Sequence, residues 1–301
     1  MKCWRNKRKD ERNLESNLVR SYSAAGVSTI LWASAFPAVK FALDYYSPEA
    51  LMLLRFIVAT AFLLGFCAIK KIPPPGLRDM PMFALSGFVG LFLYMWAFNT
   101  GTGMVTSGIS SFIIASSPVF TLMLSIWWLR EKTGLRIWLG VLISLVGIVI
   151  IGATQVTEMR LNLGFWLLLF AAVTTGIYSV MQKYIVQKYS AMQATAYTMA
   201  FGTFFMLIFM PSLVREFPTA PLYANLLVVY LGLFPAALAY FLWGYALAKT
   251  HKTIYVTSFL YLVPFFASVI AFFWLGETLP LLALFGGVMV ALGMVVTNKR
   301  A

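Results

Sequence analysis

Charged side chains are scarce in this sequence, and acidic ones are the scarcest of all. Asp, Glu, Lys and Arg make up 11% of the 301 residues, whereas about a quarter of a soluble domain is charged. Hydrophobic residues make up 61%. Such a chain cannot bury its apolar surface in its own core. This composition excludes a soluble globular protein and predicts a protein whose solvent is lipid.

Residues that bind metals or build catalytic pairs are also few. The one histidine, His251, lies in a basic loop, and the two cysteines, Cys3 and Cys67, lie in the basic tail and in an apolar segment. All ten acidic residues lie in the tail, in loops or at predicted helix ends. We therefore expect no disulfide framework, no metal site, no cofactor and no enzyme, because intramembrane hydrolysis or transfer needs a nucleophile with a base or paired acids.

The missing acids also bear on energy coupling. With no carboxylate at a helix centre, the sequence provides no obvious proton relay across the membrane. A glycine-rich phosphate loop is absent as well, which excludes a built-in ATP motor of the P-loop type.

The net charge of +13 follows the membrane edges. With the amino terminus inside, nineteen Lys and Arg residues fall on the inner face, and two, Arg160 and Arg215, fall on the outer face. This asymmetry predicts that both termini lie in the cytoplasm. It argues against a nucleic-acid partner, because no soluble domain carries the basic residues, and it leaves the lipid bilayer as the expected surroundings.

Ten apolar segments are long enough to cross a bilayer as helices, which takes about 20 residues. They are residues 24–43, 49–69, 80–99, 105–129, 135–153, 161–182, 193–213, 222–246, 254–275 and 281–298. The short alternating segments of a membrane barrel are absent. The predicted fold class is an all-α membrane protein with ten transmembrane helices, preceded by a basic cytoplasmic tail over residues 1–23.

Two of these segments share a motif that runs from a proline to a glutamate. Pro118 leads to Glu131 and Pro264 leads to Glu277, with the same spacing in both. The offset of 146 residues relates other identical residues too. These are Tyr94 with Tyr240, Phe120 with Phe266, Leu135 with Leu281, Gly140 with Gly286 and Gly147 with Gly293. A constant offset indicates an internal duplication, with repeats at residues 24–153 and 161–298.

Because each predicted repeat holds five helices, the second repeat must enter the membrane upside down. Inverted repeats of this kind place a transporter's substrate site near the midplane, between the halves. The prediction is two inverted five-helix repeats around a central cavity. Pro118 and Pro264 are candidate hinges within helices 4 and 9, since proline removes a backbone hydrogen bond. The alternative is a kink that neighbouring hydroxyls satisfy.

Aromatic, amide and hydroxyl side chains in the membrane helices are the candidate substrate-binding groups, and aromatic rings suit an apolar or cationic solute. The set comprises Trp32, Phe36, Tyr94, Trp96, Asn99, Ser117, Tyr178, Tyr240, Trp243 and Tyr261. The offset of 146 residues also relates Trp32 to Tyr178, so with Tyr94 and Tyr240 four rings would converge if they face inward. The alternatives are contact with lipid for the aromatic residues and helix packing for the serines.

Charged residues at helix ends are the candidate gates. Lys40, Glu131 and Glu277 form this set, and Glu131 has nearby bases such as Arg136 as partners. The alternative for the glutamates is a position at the headgroups. For Lys40 and Arg55 it is a side chain that snorkels to the interface.

The residues from Trp32 to Lys40 read W-A-S-A-F-P-A-V-K, which resembles the first-helix signature of EamA-type permeases in the drug/metabolite transporter superfamily. Arg55 in L-L-R-F resembles that family's second-helix arginine. The resemblance covers nearly the whole chain after residue 20 and departs at Ala33, where glycine is more frequent. It implies a permease of the cell inner membrane, often an exporter of amino acids, with a cavity lined by helices 1, 3, 4, 6, 8 and 9.

The predicted function is transport of a small organic metabolite, such as an amino acid, by alternating access, with export favoured. A permease for a cationic or drug-like solute and a non-transporting sensor or scaffold stay as alternatives. Substrate, direction, coupling ion, favoured conformation and oligomeric state are open at this point. Gly140, Gly147, Gly286 and Gly293 serve either helix packing within the chain or a dimer face.

Overall fold

The computed structural model describes residues 2–105, 107–155, 163–275 and 281–299, and every regular element in these ranges is helical. The α-helices are α1 (Lys2–Ala42), α2 (Pro48–Ile69), α3 (Met80–Gly87), α4 (Tyr94–Met104), α5 (Ser107–Ile114), α6 (Ser117–Trp128), α7 (Leu135–Gln155), α8 (Leu163–Ile185), α9 (Ala191–Met206), α10 (Met210–Glu216), α11 (Leu222–Leu231), α12 (Ala239–Lys249), α13 (Thr253–Thr257), α14 (Val263–Leu275) and α15 (Leu281–Asn298). Segments Phe88–Leu93 and Gly232–Leu238 are π-helical, and Leu77–Asp79, Leu207–Phe209 and Ser258–Leu262 are 3-10 turns. The predicted all-α class is confirmed for these ranges.

Eight stretches of helix in the described ranges are long and apolar enough to cross a membrane. Two further apolar stretches, Leu135–Ile150 in α7 and Leu284–Asn298 in α15, are shorter. Large apolar side chains such as Phe62, Val146 and Phe273 are exposed on the outside of the bundle. A surface of this kind is stable against lipid rather than water. The chain is therefore a multi-pass membrane protein.

Short polar motifs explain where two of the helices begin. The Ser47 hydroxyl accepts a hydrogen bond from the Ala50 amide at 3.2 Å, and Pro48 occupies the first turn of α2. Ser190 begins α9 in the same way, within a capping box completed by Gln193. Both caps satisfy amide groups that have no acceptor inside the helix.

The predicted helices 4 and 9 are each interrupted in the middle. α5 ends at Ile114 and α6 begins at Ser117, so Pro118 lies in the first turn of a new helix. α13 passes through the turn Ser258–Leu262 into α14, whose second residue is Pro264. The expectation that both prolines lie inside continuous helices is corrected. Proline has no amide hydrogen, but in the first turn this costs no helix hydrogen bond, because first-turn amides have no intrahelical acceptor.

Helix contacts follow one pattern in both halves of the chain. α1 packs against α12 and α14, and α8 packs against α4 and α6. α2 packs against α9, and the most extensive contact joins α7 to α15. Exchanging α1 with α8, α2 with α9, α4 with α12, α6 with α14 and α7 with α15 leaves these contacts unchanged. The two halves therefore face each other across the bundle.

Glycines bring α7 and α15 into backbone contact. A Cβ atom on Gly140 would lie 2.7 Å from the carbonyl oxygen of Gly293, and one on Gly147 would lie 2.6 Å from that of Gly286. No side chain fits at such distances without moving a helix. These glycines pack helices within the chain, which is one of the two roles that the sequence leaves open.

Candidate functional site

A cavity lies between the two halves, and both contribute to its wall. About 590 Å³ of space not filled by protein atoms, open solvent included, lies among its lining residues. The lining comes from α1, α2, the segment Phe88–Leu93, α4, α5, α8, α12, the turn Ser258–Leu262 and α14. The family resemblance implies helices 1, 3, 4, 6, 8 and 9, and the structure adds helix 2. Among the described residues, no cluster of His, Cys, Asp and Glu could hold a metal ion.

Aromatic rings form much of the cavity wall. Six of the ten candidate substrate-binding residues lie in the lining: Trp32, Phe36, Tyr94, Tyr178, Tyr240 and Trp243. The centroid of the Trp32 ring lies 5.2 Å from that of Tyr240 and 4.8 Å from that of Trp243. Tyr178 lies 5.4 Å from Tyr240 in an edge-to-face arrangement, which aromatic pairs prefer. The four rings that the sequence analysis relates by offset therefore line one cavity.

The two π-helical segments shape this wall. The Trp32 indole donates a hydrogen bond from Nε1 to the carbonyl oxygen of Pro235, inside the second segment, at 2.9 Å. In the first segment, a Cβ atom on Gly90 would lie 2.6 Å from the Tyr178 ring. Wide π-turns loosen the regular ladder of hydrogen bonds and are frequent at functional sites. Here they place the Pro235 carbonyl group and the Gly90 backbone, which has no side chain, beside the rings.

Four of the candidate substrate-binding residues lie elsewhere, and the structure corrects their placement. Trp96 is 36% exposed on the outside of α4. Asn99 is buried and donates from Nδ2 to the carbonyl oxygen of Pro48 at 3.1 Å, which ties α4 to the start of α2. Ser117 is buried outside the lining, and Tyr261 packs in a separate core with side chains of α6, α7 and α15. The three buried side chains therefore meet neighbouring helices instead of the cavity.

Arg55 is the charged lining residue that the sequence reasoning missed. Snorkelling to the interface is the expectation for this side chain, but it is 2% exposed and borders the cavity. Its neighbours Leu51, Met52 and Phe56 on α2 are fully buried. The available signal was a charge inside an apolar segment, because such charges are costly in a membrane and mark functional positions.

Lys40, near the end of α1, contacts the carboxyl end of α4. Its Nζ atom donates to the carbonyl oxygens of Thr102 and Gly103 at 3.3 Å each, and to that of Val105 at 3.1 Å. Carbonyl groups at the end of a helix have no amide donor within that helix, and they carry the negative end of the helix dipole. We name this arrangement the Lys40 clasp. The alternative that Lys40 snorkels to the interface is corrected, because its ammonium group joins α1 to α4.

A second lysine makes the corresponding contact at the end of α12. Lys183, near the end of α8, donates to the carbonyl oxygen of Leu247 at 2.8 Å and to that of Thr250. Glu131 interacts electrostatically with Lys183. The Glu131 carboxylate also accepts hydrogen bonds from the Thr253 amide at 2.9 and 3.0 Å and from its hydroxyl at 2.6 Å. We name this the Lys183 clasp, and it joins α6, α8, α12 and α13.

The two clasps lie at opposite ends of the cavity. Gly101, near the Lys40 clasp, lies against Leu168 and Gly164 at the start of α8, whereas Lys183 lies close to the end of that helix. At 1.5 Å per residue, the clasps are about 25 Å apart. Glu277, the third candidate gate residue, lies outside the described residues.

The features that recur in the first two helices of each half are separated by 143 residues, not 146. The pairs are Lys40 with Lys183, Tyr46 with Tyr189 and the helix caps Ser47 with Ser190. At this spacing the counterpart of Trp32 is Thr175, which corrects its pairing with Tyr178. Both rings nevertheless line the cavity.

Comparisons with known proteins agree with this architecture. The model of the EamA-like transporter family matches residues 20–153 and, a second time, residues 162–299. A protein of Streptantibioticus cattleyicolor named "Probable terminal-alkyne amino-acid exporter" is 36% identical over 283 residues, which cover 94% of this chain and 95% of that protein. "Uncharacterized transporter YdfC" of Bacillus subtilis is 37% identical over 281 residues, which cover 90% and 88%. One solved crystal structure has a TM-score of 0.72 at 16% identity and covers 92% of this chain and 96% of that one, so the two share a fold.

Proposed function

This chain belongs to the EamA-like transporter family, and we propose that it is an inner-membrane permease that exports a small organic metabolite, an amino acid or a related compound. The observation that carries the proposal is the aromatic cavity between two halves that each match the family model. Similarity to a relative named as an amino-acid exporter, over nearly the full length of both chains, favours this cargo and this direction. In this role the protein performs no chemistry on its solute.

We propose that the two halves are inverted five-helix repeats, giving ten membrane crossings. The Thr60 and Thr203 hydroxyls lie 2.6 Å apart, and these residues are 143 positions apart in sequence. The Ser144 hydroxyl donates to the carbonyl oxygen of Val290 at 3.4 Å, across 146 positions. A residue contacts its own counterpart only near a two-fold axis. Both contacts, and the exchangeable helix contacts, support such an axis.

We propose that the Lys40 clasp and the Lys183 clasp are the gates of an alternating-access cycle. The excess of Lys and Arg on one side assigns the Lys183 clasp to the cytoplasmic end and the Lys40 clasp to the outer end. A hydrogen bond to a charged group contributes about 1.5–3 kcal/mol, so water can replace the few bonds of one clasp reversibly. The halves would rock about the breaks before Pro118 and Pro264. Glu277 is assigned to the outer gate, as the counterpart of Glu131.

A cationic or drug-like solute is the second candidate cargo. The ring faces of Trp32, Tyr178, Tyr240 and Trp243 favour it, because aromatic faces attract cations. In that case the same cavity and gates would serve, and only the selectivity would differ.

Flux through reconstituted vesicles tests the proposal. We expect several amino acids in a metabolite panel to cross faster than in protein-free vesicles. Trp32→Ala should slow that flux about tenfold, because it removes the ring contacts and the Nε1 hydrogen bond. Trp166, which is 55% exposed to lipid, provides the matched control, and Trp166→Ala should transport normally. A panel with no solute above background would refute the function, and equal effects of the two substitutions would refute the site.

A further inference from the structure

One charge lies in the wall of the cavity. Among the described residues that line it, Arg55 is the one with an ionised side chain. It is 2% exposed, so water does not solvate it from outside the bundle. Arginine stays protonated in proteins, and its guanidinium presents five donors in a planar fork. The cavity therefore holds a permanent positive charge.

The protein leaves this charge without an anionic partner. Within the described part of the chain, no carboxylate forms an ion pair with Arg55. Its Nη1 atom donates to the Met95 sulfur, a weak acceptor, at 3.8 Å. Its Nε atom has no hydrogen-bond partner among the described residues. An unpaired buried charge is strongly destabilising. An anion that enters the cavity would remove this penalty.

Three tyrosines lie near the guanidinium, and two of them line the cavity. Tyr94, Tyr230 and Tyr240 are close enough to interact electrostatically with it. The Tyr230 hydroxyl already pairs with Ser34 at 2.7 Å. Tyr94 and Tyr240 both line the cavity, and in the described ranges neither of their hydroxyls has a hydrogen-bond partner. A phenol hydroxyl can donate to an anion that the arginine binds.

The remaining wall matches an uncharged group. Trp32, Trp243 and Tyr178 line it with ring surface, and no acidic side chain of the described residues borders the cavity. One arginine neutralises one negative charge, and its fork fits a carboxylate with two parallel hydrogen bonds. A solute that matches both walls carries one carboxylate and an apolar body.

We propose that Arg55 binds the carboxylate of the transported solute, assisted by Tyr94 and Tyr240, and that the cargo is an organic acid or amino acid with an apolar side chain. This inference rests on the proposed transport function and specifies its substrate class. It selects against the cationic alternative, because a cation beside the buried guanidinium would be repelled. The ammonium group of an amino acid would lie over the ring faces, away from Arg55.

Three ligands that differ only in the head group test the inference. Hexanoate, hexanamide and hexylamine are titrated into the full-length protein in nanodiscs, with tryptophan fluorescence as the readout. The wild type should bind hexanoate at least tenfold more tightly than the other two. Arg55→Met should weaken hexanoate binding about 10- to 100-fold, because it removes a charged hydrogen-bond partner. It should leave hexanamide binding unchanged. The matched control Arg78→Met changes an exposed arginine and should bind all three like the wild type.

A thermal midpoint separates binding from a structural role. If Arg55 is a binding group, Arg55→Met removes an unpaired buried charge, so the ligand-free protein should melt no lower than the wild type. A lower midpoint together with equal losses for all three ligands would overturn the proposal, as would a wild type that prefers hexylamine. Tyr94→Phe, which removes one hydroxyl, gives a second test and should weaken only hexanoate. Arg55-dependent binding without vesicle flux would refute transport alone, and flux that ignores Arg55 would refute this inference alone.

Discussion

At the residue scale, Gly147 determines how closely α7 approaches α15. The Cβ atom of Gly147→Ala would lie 2.6 Å from the Gly286 carbonyl oxygen and 2.7 Å from the Val290 amide nitrogen. Both contacts are with backbone, so the helices must move apart. We expect a loss of about 1–3 kcal/mol in stability, typical of overpacking. The thermal unfolding midpoint in detergent is the measurement.

A second glycine provides the control for this substitution. Gly65 lies in the apolar helix α2, and no atom lies within 4 Å of a Cβ placed there. Gly65→Ala should therefore leave the midpoint unchanged or raise it slightly, because alanine favours the helix. Equal destabilisation at both sites would show that close packing of α7 and α15 does not explain the effect at Gly147.

The residues that line the cavity could be predicted only in part, and α4 shows why. The repeat offset predicts that Tyr94 faces the cavity, and Tyr94 lies in the lining. Nearness to Tyr94 in sequence predicts the same for Trp96 and Asn99, but they face other surroundings. All three lie in one regular helix, in which positions two and five residues after Tyr94 are rotated by about 200° and 140° from it. Closeness in sequence therefore does not predict a shared helix face.

At the element scale, the clasps should control access from opposite ends. Lys183→Met removes the donor to the carbonyls that end α12, and Lys40→Met does the same for α4. A cysteine at Thr175, in the cavity lining, reports access in a background that lacks Cys3 and Cys67. We expect Lys183→Met to raise maleimide labelling from the cytoplasmic side several-fold and Lys40→Met to raise it from the outer side.

Labelling is compared in right-side-out and inside-out vesicles with an impermeant maleimide. Lys70→Met is the control, because Lys70 is exposed and ends α2 outside both clasps. It should label at the parent rate from both sides. If both clasp substitutions raise labelling from the same side, the clasps are not gates at opposite ends.

Helices could be predicted from the sequence more completely than their contacts. The apolar runs indicate where helices lie, and Pro118 and Pro264 mark where two of them are interrupted. The partners of Lys183 could not be predicted, because Thr250 is 67 residues away and only tertiary packing brings the end of α12 to the end of α8. Snorkelling is the default for a lysine at a helix end, and nothing local distinguishes Lys40 or Lys183 from that case.

At the scale of the whole molecule, the two lysine clasps correspond to each other, whereas the cavity between them is asymmetric. Lys40 and Lys183 are related by 143 residues, and the same spacing relates Arg55 to Thr198. Thr198 is buried and uncharged. Among the described lining residues, the first half therefore contributes the one charge. A solute that binds Arg55 would keep one orientation while the gates exchange.

The side of the membrane on which two loops lie decides whether the halves are inverted. Asp44 follows the first crossing, and Gln187 follows the sixth if α7 crosses, so the two exposed residues should face opposite sides. α7 has 21 residues, and its length of about 30 Å matches the hydrocarbon core. If α7 does not cross, Gln187 follows the fifth crossing and lies on the side of Asp44.

Cysteines at these two positions, in a background without Cys3 and Cys67, distinguish ten crossings from eight. An impermeant maleimide added to intact cells should label Asp44→Cys, because the positive loops place that end of α1 outside. Gln187→Cys should react only after the membrane is permeabilised. Labelling of both cysteines in intact cells would show that α7 does not cross the membrane and that the halves are parallel. The contact between Thr60 and Thr203 would then mark a two-fold axis along the membrane normal, which relates parallel repeats.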